Sequence, residues 1–350
     1  MTRRENILKA VRFESPDYIP MIFSINAACW QNYSQNTLFD LMESHKFLFP
    51  DFKRPVREFR PNFSPVARKN APFTDDWGCL WETREDGITG TVTHHPLADW
   101  SDFKNYSAPN PDVCTGIGPI DWNQAADNLD RAKDKGELVR GSLRHGHTFL
   151  RLCDIRGYEN LIFDMADNIP ELRKLIKIIE DFNANIVKHY LDLGIEWMGY
   201  PEDLGMQNGP MLSPEHFKKY IKPSYQRLMA PAREKGAVVH MHSDGHLHDL
   251  IDEIIDGGVD VVNLQDLVNG IDWIADRFAG KICIDIDIDR QNITPNGTPE
   301  QIDSLIQEEV KKLGCKEGGL MMIYGLYPDV PLENVKALMD AMEKYAFYYS

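Results

Sequence analysis

From Gly136 onward the chain repeats one rhythm: a short apolar run, a polar loop, then an amphipathic stretch. That alternation constrains the fold more than any other feature, because short apolar runs buried on both faces need crossover helices to cover them. Parallel strands are expected at Leu138–Ser142, Trp197–Tyr200, Val238–His242, Val261–Leu264, Ile282–Ile286 and Leu320–Ile323, with helices in runs such as Pro170–Leu193 and Pro214–Lys235. The apolar run Ile19–Ile25 adds a strand, and one more hidden in the middle third brings the count to eight. Eight such units in 350 residues predict an α/β fold of the (β/α)8 TIM barrel type. No Gly-x-Gly-x-x-Gly fingerprint follows the first strand, which disfavours an open dinucleotide-binding sheet.

Two segments stand outside the rhythm. Thr2 to Phe13 places Ile7, Leu8 and Val11 on one helical face. Pro61 to Pro111 changes texture to prolines, aromatics and the alternating stretch Gly87-Ile-Thr-Gly-Thr-Val-Thr, which predicts antiparallel hairpins inserted in the N-terminal third as a lid or rim. The whole chain, 1–350, then reads as one barrel domain.

Acidic residues outnumber basic ones by 54 to 38, a net charge of −16, which argues against nucleic acid or an anionic membrane surface as the partner. The N-terminus lacks the apolar core of a secretory signal, and no uncharged apolar run approaches about 18 residues. A cytoplasmic location is expected. The six cysteines have no paired spacing and read as reduced thiols.

In a barrel of this kind chemistry sits at the carboxyl ends of the strands. The ends here are polar: Pro201-Glu-Asp203, His240-Met-His-Ser-Asp244, Gln265-Asp266, Asp285-Ile-Asp287 and Tyr324. Alternate residues of a strand point to one side, so His240 and His242 aim two imidazoles together. With a carboxylate they would make a three-ligand, open-position zinc site. Glu202 is the first choice for that third ligand, with Asp203 and Asp244 behind it. The same histidines could instead hydrogen-bond a substrate without metal. Asp244 also suits a turn before the next helix, and His246 and His248 suit solvated or supporting positions there. Asp203, Asp285 and Tyr324 are the candidate catalytic side chains, and His145, His147, Trp77, Gln265 and Asp287 the candidate substrate contacts. For His145 and His147, and for the aromatics Phe73, Trp77, Trp81 and Trp100, packing at a rim or lid is the competing reading.

Taken in order, Asp75-Asp-Trp-Gly78, Glu202-Asp-Leu-Gly205, Leu212-Ser-Pro-Glu-His-Phe217, His240-Met-His-Ser-Asp-Gly245 and Pro328-Asp-Val-Pro-Leu-Glu-Asn-Val335 resemble the uroporphyrinogen decarboxylase superfamily. The likeness is strongest to its zinc-dependent, corrinoid-linked methyltransferase branch. It implies a barrel, often dimeric, with its site at the carboxyl mouth. In that branch a His-x-Cys pair binds zinc together with a cysteine near the last strand. His242 stands where the first cysteine would be, and Tyr324 and Gly325 occupy the last-strand region, so a zinc site here would be nitrogen- and oxygen-ligated. The authentic decarboxylases of the superfamily resemble one another in an arginine-bearing segment after the first strand, where this chain reads Pro20 to Trp30 without arginine. The implied activity is therefore zinc-assisted transfer of a methyl group from a small O-methyl substrate to a corrinoid protein. The alternatives are a decarboxylase of a tetrapyrrole or other acid, and a non-catalytic tetrapyrrole-binding protein.

Overall fold

The computed structural model describes all 350 residues, Met1–Ser350. Seven strands form the main sheet: β1 (Met21–Ile25), β2 (Arg140–Ser142), β3 (Trp197–Asp203), β4 (Val238–Asp244), β5 (Val261–Gln265), β6 (Cys283–Asp287) and β7 (Leu320–Leu326). Their order is β1-β7-β6-β5-β4-β3-β2, and the β1–β7, β6–β7, β2–β3 and β3–β4 pairings are parallel. The strands are apolar through their centres because both faces are covered. The sheet has no eighth strand in the middle third, which corrects the count expected from the sequence. Between β2 and β3 the apolar residues recur at helical spacing, and Leu172, Leu175, Ile179, Phe182, Ile186 and Val187 are buried along one face of helix Pro170–Asp192.

The chain divides into two compact units. The first comprises Met1–Arg68, Arg84–Thr89 and Leu264–Ser350; the second comprises Lys69–Thr83 and Gly90–Asn263. Within the first unit helix Arg3–Arg12 begins in a capping box between Thr2 and Glu5 and packs beside β6 and β7, and helices Pro299–Leu313 and Leu332–Ala346 pack together, the second of them against β1. Its interior holds an unusual acidic pair: Asp266 is 1% and Glu309 0% exposed. Burial pushes the Glu309 carboxyl well above the usual range, and the neighbouring Asp266 charge adds to the effect.

The second unit carries β2, β3 and β4 with their helices. It also holds a three-stranded antiparallel sheet, Phe73–Thr74, Leu80–Glu82 and Thr91–His94. A buried ion pair organises that region. Arg151 Nη1 lies 2.7 Å from Asp75 Oδ2, and both side chains are almost fully enclosed. Asp75 also accepts from the Trp77 and Cys79 backbone N–H groups and from Trp81 Nε1, so every lone pair it buries is used. The helix expected over Pro214–Lys235 is interrupted by a π-helical turn at Phe217–Ile221 before Lys222–Glu234 continues.

Candidate functional site

The register between β3 and β4 decides which side chains meet. Gly199 pairs with His240, Pro201 with His242, Glu202 with Ser243 and Asp203 with Asp244. Residues directly opposite share a face, so Asp203, His242 and Asp244 stand on one side of this ladder and Glu202 and Ser243 on the other. Below them, on the same face, His240 lies over Trp197 with ring centroids 5.0 Å apart, and the Arg140 guanidinium lies 4.8 Å from the same indole.

One cluster converges at the ends of these strands. His145 Nε2 is 3.2 Å from Asp203 Oδ1, and His242 Nε2 is 3.6 Å from the same oxygen. One ligand atom from each of His145, Asp203 and His242 lies within 4.8 Å of the others, a grouping that could hold a metal ion. Asp244 Oδ1 is a further carboxylate oxygen 3.7 Å from His242 Nε2. The His242 ring is oriented from behind, because its Nδ1 is hydrogen-bonded to Asn263 Oδ1. That contact fixes the tautomer and leaves Nε2 as the available donor atom. Burial opposes charge on His145, but hydrogen bonding and the Asp203 charge outweigh it, and its pKa is raised. The same contacts overcome desolvation of Asp203 and hold its carboxyl well below the ordinary carboxylate range. Two imidazole nitrogens and one carboxylate oxygen are the donor set of an open, catalytic zinc centre, so the residues fit that ion.

The spacing of the two strands beyond this cluster is set by main chain. Gly205 and Gly245 meet so closely that a Cβ on Gly245 would lie 2.1 Å from Gly205 C and O. Gly245 also has φ +85°, where side-chain-bearing residues are strained.

The other candidates are distributed differently. Glu202 is fully buried and accepts from the N–H groups of Thr148, Phe149 and Leu150 at 3.0, 2.9 and 3.1 Å, and from Tyr225 Oη at 3.0 Å. It anchors the start of helix Phe149–Arg156, and its oxygens are not in the His145–Asp203–His242 group. Burial nevertheless pushes its carboxyl up to about 7. His147 is enclosed beside Tyr200 and Tyr225, hydrogen-bonded to Thr148 Oγ1 at 2.6 Å, and burial lowers its pKa to about 3. Trp77 is buried edge-on against Phe182.

Gln265, Asp285, Asp287 and Tyr324 belong to the first unit. Asp285 and Asp287 are buried on one face of β6, and Asp287 is paired with Arg290 at 2.7 Å. Asp287 is opposite Ile323 in the register, so Tyr324 takes the other face, where it packs on Phe23 and hydrogen-bonds Thr294 Oγ1 at 3.3 Å. Gln265 is buried, and its carbonyl accepts from Asn269. Asn263, which holds His242, was not among the residues singled out from the sequence. It is a polar residue among the apolar Val261, Val262 and Leu264, a signal that could have found it.

A parallel α/β sheet with a converging ionisable cluster at its strand ends is the layout of the barrel-type α/β enzymes. The chain belongs to the uroporphyrinogen decarboxylase (URO-D) family, whose profile it matches over residues 2–345. Among curated relatives, human uroporphyrinogen decarboxylase is 26% identical over 181 residues, 49% of this chain and 47% of that protein. The Prochlorococcus marinus enzyme of the same name is 26% identical over 188 residues, 52% and 50% of the two chains. The chain thus spans about half the length of the curated relatives it matches. Among solved structures, a methyltransferase from Methanosarcina mazei superimposes with a TM-score of 0.67 over 99% of both chains at 15% identity, a likeness of fold. No helix is long and apolar enough to cross a membrane.

Proposed function

We propose that the protein is a zinc-assisted methyltransferase in which His145, Asp203 and His242 hold the metal and a corrinoid on a partner protein accepts the methyl group of a small methylated substrate. The observation that carries this reading is the convergence of two imidazoles and a carboxylate within 4.8 Å. When bound, the metal supplies a Lewis acid that polarises the oxygen bearing the methyl group. The chain does the rest by orientation. Asn263 holds the His242 ring so that Nε2 faces the cluster. Asp203 Oδ1 lies within reach of both imidazoles, 3.2 Å from His145 Nε2 and 3.6 Å from His242 Nε2. His145, with 51% of its side chain exposed, is the member a substrate would reach first. Asp244, at 3.7 Å from His242 Nε2, is positioned to accept a hydrogen bond from a hydroxyl or water at the site, and the oxygen that gives up the methyl group would take its proton from solvent.

Metal analysis tests the reading. Purified protein supplied with zinc should carry one ion per chain, His240→Ala should retain it, and His242→Ala should lose it. Protein that holds no stoichiometric metal under those conditions removes the mechanism.

A decarboxylase is the second reading, favoured by the family match and by the relatives' names. Arg144, at the end of β2, hydrogen-bonds Thr115 Oγ1 and the Ile117 carbonyl and is the nearby side chain suited to grip a carboxylate. Conversion of uroporphyrinogen to coproporphyrinogen by the purified chain would establish this reading in place of the first.

A further inference from the structure

The second unit has a basic groove of about 240 Å3 between helix Pro170–Asp192 and the π-helical turn Phe217–Ile221. Arg173, Lys177, Lys219 and Arg227 line it, against the single carboxylate of Glu180. In a chain of net charge −16, four cations to one acid is a local inversion of sign. Two of the cations have nearby acids: Arg227 pairs with Glu180 and Lys177 with Asp181. The other two do not use a carboxylate. The Arg173 guanidinium and the Lys219 ammonium both lie 5.2 Å from the centroid of the Tyr220 ring, and Lys219 Nζ is held by the amide oxygen of Asn168.

Neither cation is neutralised by a carboxylate, so an anion in the groove that both line would accept charge-assisted hydrogen bonds from them. The ring itself is fixed in advance, since Tyr220 Oη is bonded to the Met165 carbonyl at 2.9 Å and to Asn168 Oδ1 at 3.0 Å. The π-helical turn is what brings Lys219 and Tyr220 over the groove, and such turns recur at functional positions in helices. Ile176 and Pro223 supply an apolar wall beside the cations. None of these residues belongs to the His145–Asp203–His242 cluster.

We propose that this groove binds a small phosphorylated anion, its phosphate seated between Arg173 and Lys219 and its carbon portion against Ile176 and Pro223. The size of the groove suits a phosphate ester or diphosphate, and its mixed lining suits a small molecule with one charged end.

Calorimetric titration of the full chain with pyrophosphate, and separately with inorganic phosphate, tests it. Saturable one-to-one binding of pyrophosphate is expected, weakened at least about tenfold in the Arg173→Ala/Lys219→Ala double variant. Both side chains are exposed, so thermal melting should show the variant folded. Lys174→Ala removes a cation that faces Glu171 at 3.7 Å instead of the groove, and Lys188→Ala one that pairs with Asp192 at 2.9 Å further along the same helix; both should bind as the wild type does. Three results would overturn the proposal: no saturation, an equal loss in either control, or binding of a glutamate-rich peptide where pyrophosphate fails. The last would assign the groove to an acidic protein surface.

Discussion

Asp203 Oδ1 lies 3.6 Å from His242 Nε2 across the β3–β4 register, while Glu202, one residue earlier, faces the opposite way and closes a helix terminus. Adjacent carboxylates on one strand end therefore have separate duties. Asp203→Ala is expected to reduce zinc affinity by more than the roughly 10–100-fold that losing a supporting partner costs, whereas Glu202→Gln should leave zinc stoichiometry intact. Competition with a chromophoric chelator measures both, and a Glu202→Gln protein that loses its metal would reverse the assignment.

Glu202 should show itself in stability. Glu202→Ala strips three backbone N–H groups and the Tyr225 hydroxyl of their acceptor in a fully buried position. Unsatisfied buried donors and a lost helix anchor cost about 2–5 kcal/mol together. Urea unfolding followed by circular dichroism is the measurement, and a change below about 1 kcal/mol would contradict the anchoring role.

Asn263 holds the His242 ring through its Oδ1. Asn263→Ala should weaken zinc binding about 10–100-fold by freeing the ring to rotate and change tautomer, with little effect on unfolding. Asn263→Asp, which retains an acceptor for the Nδ1–H, should restore most of the affinity. If alanine and aspartate behave alike, the contact does not orient the ring.

The Asp266–Glu309 pair gives a pH signature of its own. Burial, with the Asp266 charge beside it, raises the folded-state pKa of Glu309 above its ordinary value, so the folded chain keeps a proton that the unfolded chain releases. Stability from this group is fully present below the unfolded value near 4.5 and is lost as pH rises toward the folded value. In that window the loss approaches about 1.4 kcal/mol per pH unit. Glu309→Gln should flatten the fall of Tm between acidic and neutral pH, and an unchanged slope would show that another group sets it.

The buried Asp75–Arg151 pair makes a prediction about cost. Arg151→Met leaves Asp75 enclosed without its counter-charge and should destabilise by about 3–5 kcal/mol. The double change Asp75→Asn with Arg151→Met should recover part of that loss, which guanidinium denaturation of the three proteins can resolve.

Much of the architecture was legible because it follows from periodicity. Short apolar runs gave the positions of the seven strands, and alternation along β4 put His240, His242 and Asp244 on one face. The choice between Glu202 and Asp203 was not legible, since it depends on how β3 aligns with β4, a long-range register that no single strand encodes. The pairing of His145 with Asp203 is hidden for the same reason: they are 58 residues apart in sequence. The eighth strand was counted in the middle third without residues to mark it, and helical spacing there decided otherwise. The π-helical turn has no signature in composition or spacing, so the helix across Pro214–Lys235 read as continuous.

The Gly205–Gly245 contact sets how far apart the strands that bear Asp203 and His242 lie, whatever side chains they carry. Ligand chemistry at His242 can then be exchanged without redrawing the frame around it. His242→Cys should keep a metal position while shifting its preference toward softer ions, and Gly245→Ala should loosen the position for every ion alike. Backbone closeness would then fix where an ion sits, and the residue at 242 would select which ion it is.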